Sequence, residues 1–113
     1  DEDVRSRAGE VFRDWGIPTA RAIVDCRAAL PDTSLIASGG IRTGLDVARA
    51  IRLGADIVGQ AGAILAAAID GPESVGRHID QIEFELRLAC FATGSPGLTQ
   101  LAKAPVFEAV TGF

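Results

Sequence analysis

A chain of 113 residues, 48% hydrophobic and 23% charged with a mean hydropathy of +0.25, has the size of one domain or part of one and is too apolar for a disordered tail. A net charge of −4 without any Lys/Arg cluster argues against a nucleic-acid partner, since such modules carry a basic face. No apolar run reaches the ~20 residues that span a bilayer, and the opening Asp1-Glu2-Asp3 is not a signal peptide.

Residues 1–13 are charged, with only Val4, Ala8, Val11 and Phe12 apolar, which predicts a surface helix or an approach loop. Gly16 and Pro18 then punctuate the chain. Ala20, Ile23, Val24 and Ala28 fall at near-helical spacing between Thr19 and Leu30, and Pro31-Asp32 closes that helix. Ser34–Ser38 is a short apolar run bounded by turn residues, the pattern of a parallel strand buried on both faces. Gly39-Gly40 follows at once. Thr43 offers an N-cap for the next helix, with Asp46 near its positive end. Leu45, Val47, Ala48, Ala50, Ile51 and Leu53 give that helix a wide apolar face, and Gly54 suits its termination in the left-handed region.

Asp56–Gln60 reads as a second buried strand, followed by Ala61-Gly62 and a small-residue helix through Ile69. Asp70-Gly71-Pro72 breaks it, and Pro72 suits the first turn of a further helix. That helix carries an i, i+3/i+4 stripe of Val75, Ile79, Ile82, Leu86 and Ala89. Thr93–Gly97 ends it, and a short helix is expected over Leu98–Lys103.

Residues 34–60 make one strand–helix–strand unit, the crossover that joins parallel strands. Two doubly buried strands need neighbours that the chain does not supply. Together with the absence of any Met, this predicts an α/β fold in which residues 1–113 are the C-terminal portion of a (β/α)8 barrel whose N-terminal part is missing. Cys26 and Cys90 both fall in predicted helices and read as reduced core residues, consistent with a cytoplasmic protein. His78 is the single histidine, and no metal-ligand spacing occurs.

Chemistry concentrates in Ser38-Gly39-Gly40-Ile41-Arg42-Thr43-Gly44, where a strand ends and a helix begins. Two glycines let the backbone approach a ligand, the amides opening the helix favour an anion, and Arg42 can grip a phosphate bidentately. The spacing is neither a dinucleotide fingerprint nor a Walker A loop. Gln60-Ala61-Gly62 offers a second small-residue loop after the next strand. Loops after strands 7 and 8 form a common phosphate site in (β/α)8 barrels. Gly39, Gly40, Ile41, Arg42, Ala61 and Gly62 are therefore the candidate ligand-binding residues, against the plainer reading of a tight turn and a solvated arginine. No catalytic residue and no metal ligand are assigned. His78 reads as a lone surface histidine, Asp46 and Asp56 as cap and strand-edge carboxylates, and Glu83 and Glu85 as the solvated side of a helix. Ser38 has no His to complete a hydrolytic triad. Trp15 suits packing or a subunit interface better than a ligand mouth.

Residues 38–56 closely resemble the flavin-mononucleotide barrels. The α-hydroxy-acid oxidases usually begin this motif with Asp and continue with Gly-Arg-Pro in the second loop, where Ser38 and Ala61-Gly62-Ala63 stand here. Trp15–Thr19, Ile36–Arg42 followed by Val58–Gly62, and Glu85–Gly94 together resemble type 2 isopentenyl-diphosphate Δ-isomerase, over about residues 11–105. Cys90 and Arg49 stand where that family often has Met and Lys.

The resemblance implies an FMN-binding (β/α)8 barrel to which this chain contributes about strands 7 and 8. It implies interconversion of isopentenyl and dimethylallyl diphosphate, with reduced flavin in the proton transfers, NADPH as reductant, Mg²⁺ on the diphosphate, and a homo-oligomer. The family's flavin-phosphate contacts map onto Gly40, Ile41, Arg42, Ala61 and Gly62. Its catalytic, metal-binding and substrate-binding residues map to no position here. An FMN-dependent α-hydroxy-acid oxidoreductase and a non-catalytic phosphate-binding partial barrel remain the alternatives.

Overall fold

The computed structural model describes residues 1–107, so the last six positions of the expected 1–113 unit lie outside the described residues. Helix α1 (Glu2–Val11) is capped by Asp1, whose side chain accepts from the Asp3 amide, and it buries no residue, as its charged sequence predicts. Helix α2 (Thr19–Ala29) begins directly after Pro18. Strand β1 (Ile36–Ala37) leads into helix α3 (Gly44–Leu53), and strand β2 (Ile57–Val58) leads into helix α4 (Gly62–Asp70). Helix α5 (Pro72–Ala92) and the short α6 (Leu98–Leu101) complete the order, with Pro72 in the first turn as expected and α6 ending two residues early.

The strands pair in parallel, Ile36 opposite Ile57 and Ala37 opposite Val58. Helix α3 sits at the centre. It packs against α2, α5, α6 and the sheet, and its Val47, Ala48, Ala50 and Ile51 are buried with Ile23, Ala37, Ile41 and Leu101. From α5, Ile82, Leu86, Ala89 and Cys90 close over this core. The approach is close at Gly44, where a Cβ would stand 2.4 Å from the Ile82 carbonyl oxygen.

Arg27 ties the unit together. Its Nε donates to the Gly54 carbonyl, its Nη1 to the carbonyls of Leu30, Pro31 and Thr33, and its Nη2 pairs with Asp56 at 2.7 Å. The same Asp56 oxygen accepts the Leu35 amide at 2.8 Å. One planar fork thus joins the end of α2, the approach to β1, the end of α3 and the start of β2. The Leu35 amide first, and Arg27 second, hold the Asp56 carboxyl below its ordinary range.

The strands are covered on one face only, as expected of apolar strands whose neighbours the chain does not supply: Ala37 is 4% exposed, whereas Ile36 and Ile57, paired across the sheet, are 65% and 58% exposed. The described helices pack against the Ala37 side, and nothing in residues 1–107 covers the other. Cys26 is not a core residue but exposed, because α2 buries Ile23 alone; Cys90 is half-buried, and both thiols are free.

Candidate functional site

Because β1 and β2 run parallel, the segments that follow them leave the sheet at the same end. They wall an open cleft of about 480 Å³. All six sequence-predicted residues line it: Gly39, Gly40 and Ile41 with Arg42 from the first loop, and Ala61 and Gly62 from the second. Gly39 and Gly40 take φ of +108° and +70°, so the turn needs two successive residues without a Cβ. Thr19 donates its hydroxyl to the Gly39 carbonyl at 2.8 Å and fixes the turn against α2. The Ile41 side chain is buried in the core, which anchors the loop. The Arg42 side chain is exposed, and among the described residues no carboxylate forms an ion pair with it.

The helix ends behave differently from expectation. Thr43 caps α3 as predicted, its hydroxyl accepting the Asp46 amide at 3.1 Å. The Asp46 carboxylate reaches back and accepts the amides of Arg42 at 3.1 Å and Thr43 at 3.2 Å, a reciprocal capping box. The next amide, that of Gly44, donates to Glu85 from α5 at 2.9 Å. The amides of Arg42, Thr43 and Gly44 are therefore taken by the chain's own carboxylates, and that of Asp46 by the Thr43 hydroxyl. Glu85 is correspondingly half-buried and not part of a solvated face. Helix α4 is the contrast: no side chain caps it, and it starts with Gly62, where a Cβ would meet nothing within 4 Å.

The Arg42 amide, as the largest influence, holds the Asp46 carboxyl below its ordinary value of 3.8 against the opposing effect of burial. A depressed folded-state value stabilises the fold fully above the unfolded value and loses that contribution as pH falls through the folded one. Stability should therefore decline below pH ~4. Asp46→Asn should flatten this acid limb in urea-unfolding series at stepped pH; an unchanged limb would show that the cap is not a charged one.

His78 is another departure. Its Nε2 lies 2.9 Å from Oε1 of Gln60, which lines the cleft, and the ring is half-buried between helix and loop. Eighteen residues separate the two, and no periodicity announces the contact. Trp15 is exposed, packs edge-on against Phe12 at 5.9 Å and does not line the cleft. Ser38 lines it. Among the described residues no group of three or more His, Cys, Asp or Glu can hold a metal, and no helix is long and apolar enough to cross a membrane.

Residues 12–108 match the FMN-dependent dehydrogenase family. A protein of Xanthobacter autotrophicus named isopentenyl-diphosphate delta-isomerase is 57% identical over 103 residues, covering 90% of this chain and 30% of its own length. Proteins of the same name from Vibrio campbellii and Metallosphaera sedula are 55% and 46% identical, over 87% and 88% of this chain and 29% and 27% of theirs. The chain thus spans under a third of the length of these relatives. Among solved structures, GMP reductase from Trypanosoma brucei, in complex with guanosine 5'-triphosphate, superposes with a TM-score of 0.71 at 30% identity, over 90% of this chain and 25% of that one. The family match and this likeness give the chain a partial barrel fold. Since the family match takes in both strands and both loops of the cleft, the chain belongs to the FMN-dependent dehydrogenase family.

Proposed function

We propose that this chain is the closing part of an FMN-dependent isopentenyl-diphosphate isomerase, contributing about strands 7 and 8 of a (β/α)8 barrel and half of its flavin-phosphate site. The observation that carries the reading is 46–57% identity, over about 90% of the chain, to proteins of that name. The residues present fit a phosphate. Gly39 and Gly40 leave room at the turn, Arg42 offers a guanidinium without a carboxylate neighbour, and the start of α4 has amides without a side-chain cap. Gly40, Ile41 and Arg42, with Gly39, hold it from one side, and Ala61 and Gly62 from the other.

When bound and reduced, FMN supplies chemistry for moving a proton on the allylic diphosphate substrate. The role of this chain is to bind and orient; it contributes no acid or base to the reaction. NADPH as reductant and Mg²⁺ on the diphosphate belong to the reading of the whole enzyme, a cytoplasmic homo-oligomer, and their ligands lie outside the described residues. Oxidation of an α-hydroxy acid is the second reading, favoured by the family's dehydrogenase designation.

The test is to supply the intact protein with FMN and a reductant and follow conversion of isopentenyl to dimethylallyl diphosphate, beside dye-linked oxidation of glycolate and lactate. Isomerisation is expected. Hydroxy-acid turnover without isomerisation would replace this reading with the second, and neither activity in a flavin-loaded protein would sink both.

A further inference from the structure

Among the described residues, one buried side-chain polar atom has no hydrogen-bond partner: Nε2 of Gln60. Buried donors are almost always paired, because an unmade bond leaves the full desolvation cost uncompensated. Gln60 stands just beyond β2, between Gly59 and Ala61, and walls the same cleft as Gly40 and Arg42. The unpaired donor therefore belongs to a residue of the ligand site.

The other end of that carboxamide is engaged. Its Oε1 lies 2.9 Å from Nε2 of His78, in the second turn of α5. Helices α4 and α5 pack together across the Gly71 turn, which returns the imidazole to the loop that opens α4. With the ring N–H donating to Oε1, the NH₂ group is turned away from the imidazole. The reversed carboxamide would set an acceptor where the unpaired donor now stands, and an acceptor repels the oxygens of an anion. The loop pair otherwise carries a single cationic side chain, Arg42.

We propose that His78 is a positioning residue: it fixes the carboxamide of Gln60 so that Nε2–H donates to an oxygen of the anion held in the cleft. This rests on the flavin-phosphate reading, so the anion is the FMN phosphate. Gln60 supplies direction beside the charge of Arg42, and His78 acts only through Gln60.

The experiment uses the intact protein, titrated with FMN and with riboflavin, which lacks the phosphate, and follows quenching of flavin fluorescence; thermal midpoints are recorded alongside. Gln60→Ala should raise the Kd for FMN about tenfold, the scale of a hydrogen bond to a charged group, and leave that for riboflavin unchanged. Gln60→Glu keeps the shape but offers only acceptors, and should lose more. His78→Ala should lose about half as much on a logarithmic scale, nothing further in the Gln60→Ala background, and most of the loss should be rescued by His78→Gln, which retains an N–H donor. Effects of His78 and Gln60 that simply add would overturn the proposal, as would equal losses for riboflavin with a lowered midpoint, which would mark a purely structural pair. If Arg42→Ala weakens FMN while neither Gln60 nor His78 variants do, the proposal fails and the flavin-phosphate reading stands. If none of the three positions affects FMN, both fail.

Discussion

Gly44→Ala is expected to destabilise the intact protein by about 3 kcal/mol, at the upper end of the cost of overpacking. Gly44 opens α3 and is buried beneath α5. An added Cβ would stand 2.4 Å from the Ile82 oxygen, 2.5 Å from Glu85 Cβ and 2.7 Å from the Leu86 nitrogen. Two of these atoms are helix backbone and cannot rotate away, so α5 must shift as a body. That shift would lift Ile82, Leu86, Ala89 and Cys90 from the core and part Glu85 from the Gly44 amide. Helix propensity opposes the clash, since alanine is better than glycine in a helix by roughly 1 kcal/mol, but it is the smaller effect. Gly76→Ala separates the two. Gly76 lies within α5, and a methyl group added there would have nothing within 4 Å, so propensity acts alone and the substitution should stabilise by roughly 0.5–1 kcal/mol. Urea midpoints of the two variants should move in opposite directions. A Gly44→Ala protein as stable as the parent would mean that α5 does not lie against the first turn of α3.

Arg42→Ala should weaken FMN binding tenfold or more, corresponding to roughly 1.5–3 kcal/mol for a charge-assisted hydrogen bond. The side chain is exposed and its ion-pairing capacity is unused among the described residues, so removal leaves no buried charge behind. The backbone amide that donates to Asp46 survives the substitution, and the α3 cap with it. Stability should therefore stay within about 0.5 kcal/mol of the parent, as for most surface substitutions, and the loss should appear in ligand affinity. Arg42→Lys should recover part of it, because an ammonium keeps the charge but not the planar fork. Flavin titration curves that coincide for parent and Arg42→Ala would remove Arg42 from the site.

Local chemistry made much of this fold legible. Thr43 with Asp46 marks the start of α3, Gly54 its end, and Pro72 the start of α5, because each acts on backbone within a few residues. The two βα loops were legible for the same reason: small residues directly after short apolar runs. Everything that joins distant segments was not. The acceptors of Arg27 come from four places on the chain, and nothing in its surroundings distinguishes it from a solvated arginine. Glu85 sits 41 residues from the amide it accepts and, by spacing, faces water. Strand burial was legible in a different way: Ile36 and Ile57 have the composition of covered positions, and because cover is a property of neighbours, their exposure among the described residues marks where other strands belong. At the cleft, the six residues do line one space, while the engagement of the amides around the start of α3 was not legible, since an acidic residue in the first turn can either leave those amides to a ligand or take them itself.

That last choice divides the site into a finished half and an unfinished one. Helix α3 completes its own first turn with Asp46 and Glu85, so its geometry is set before any ligand arrives. Helix α4 has no such internal closure. On the proposed flavin-phosphate reading, the entropy of ordering on binding would then fall on one loop rather than two, which is how preorganisation raises affinity without adding a contact. The free and bound forms would share the α3 wall, and the α4 wall would carry the linkage between occupancy and stability.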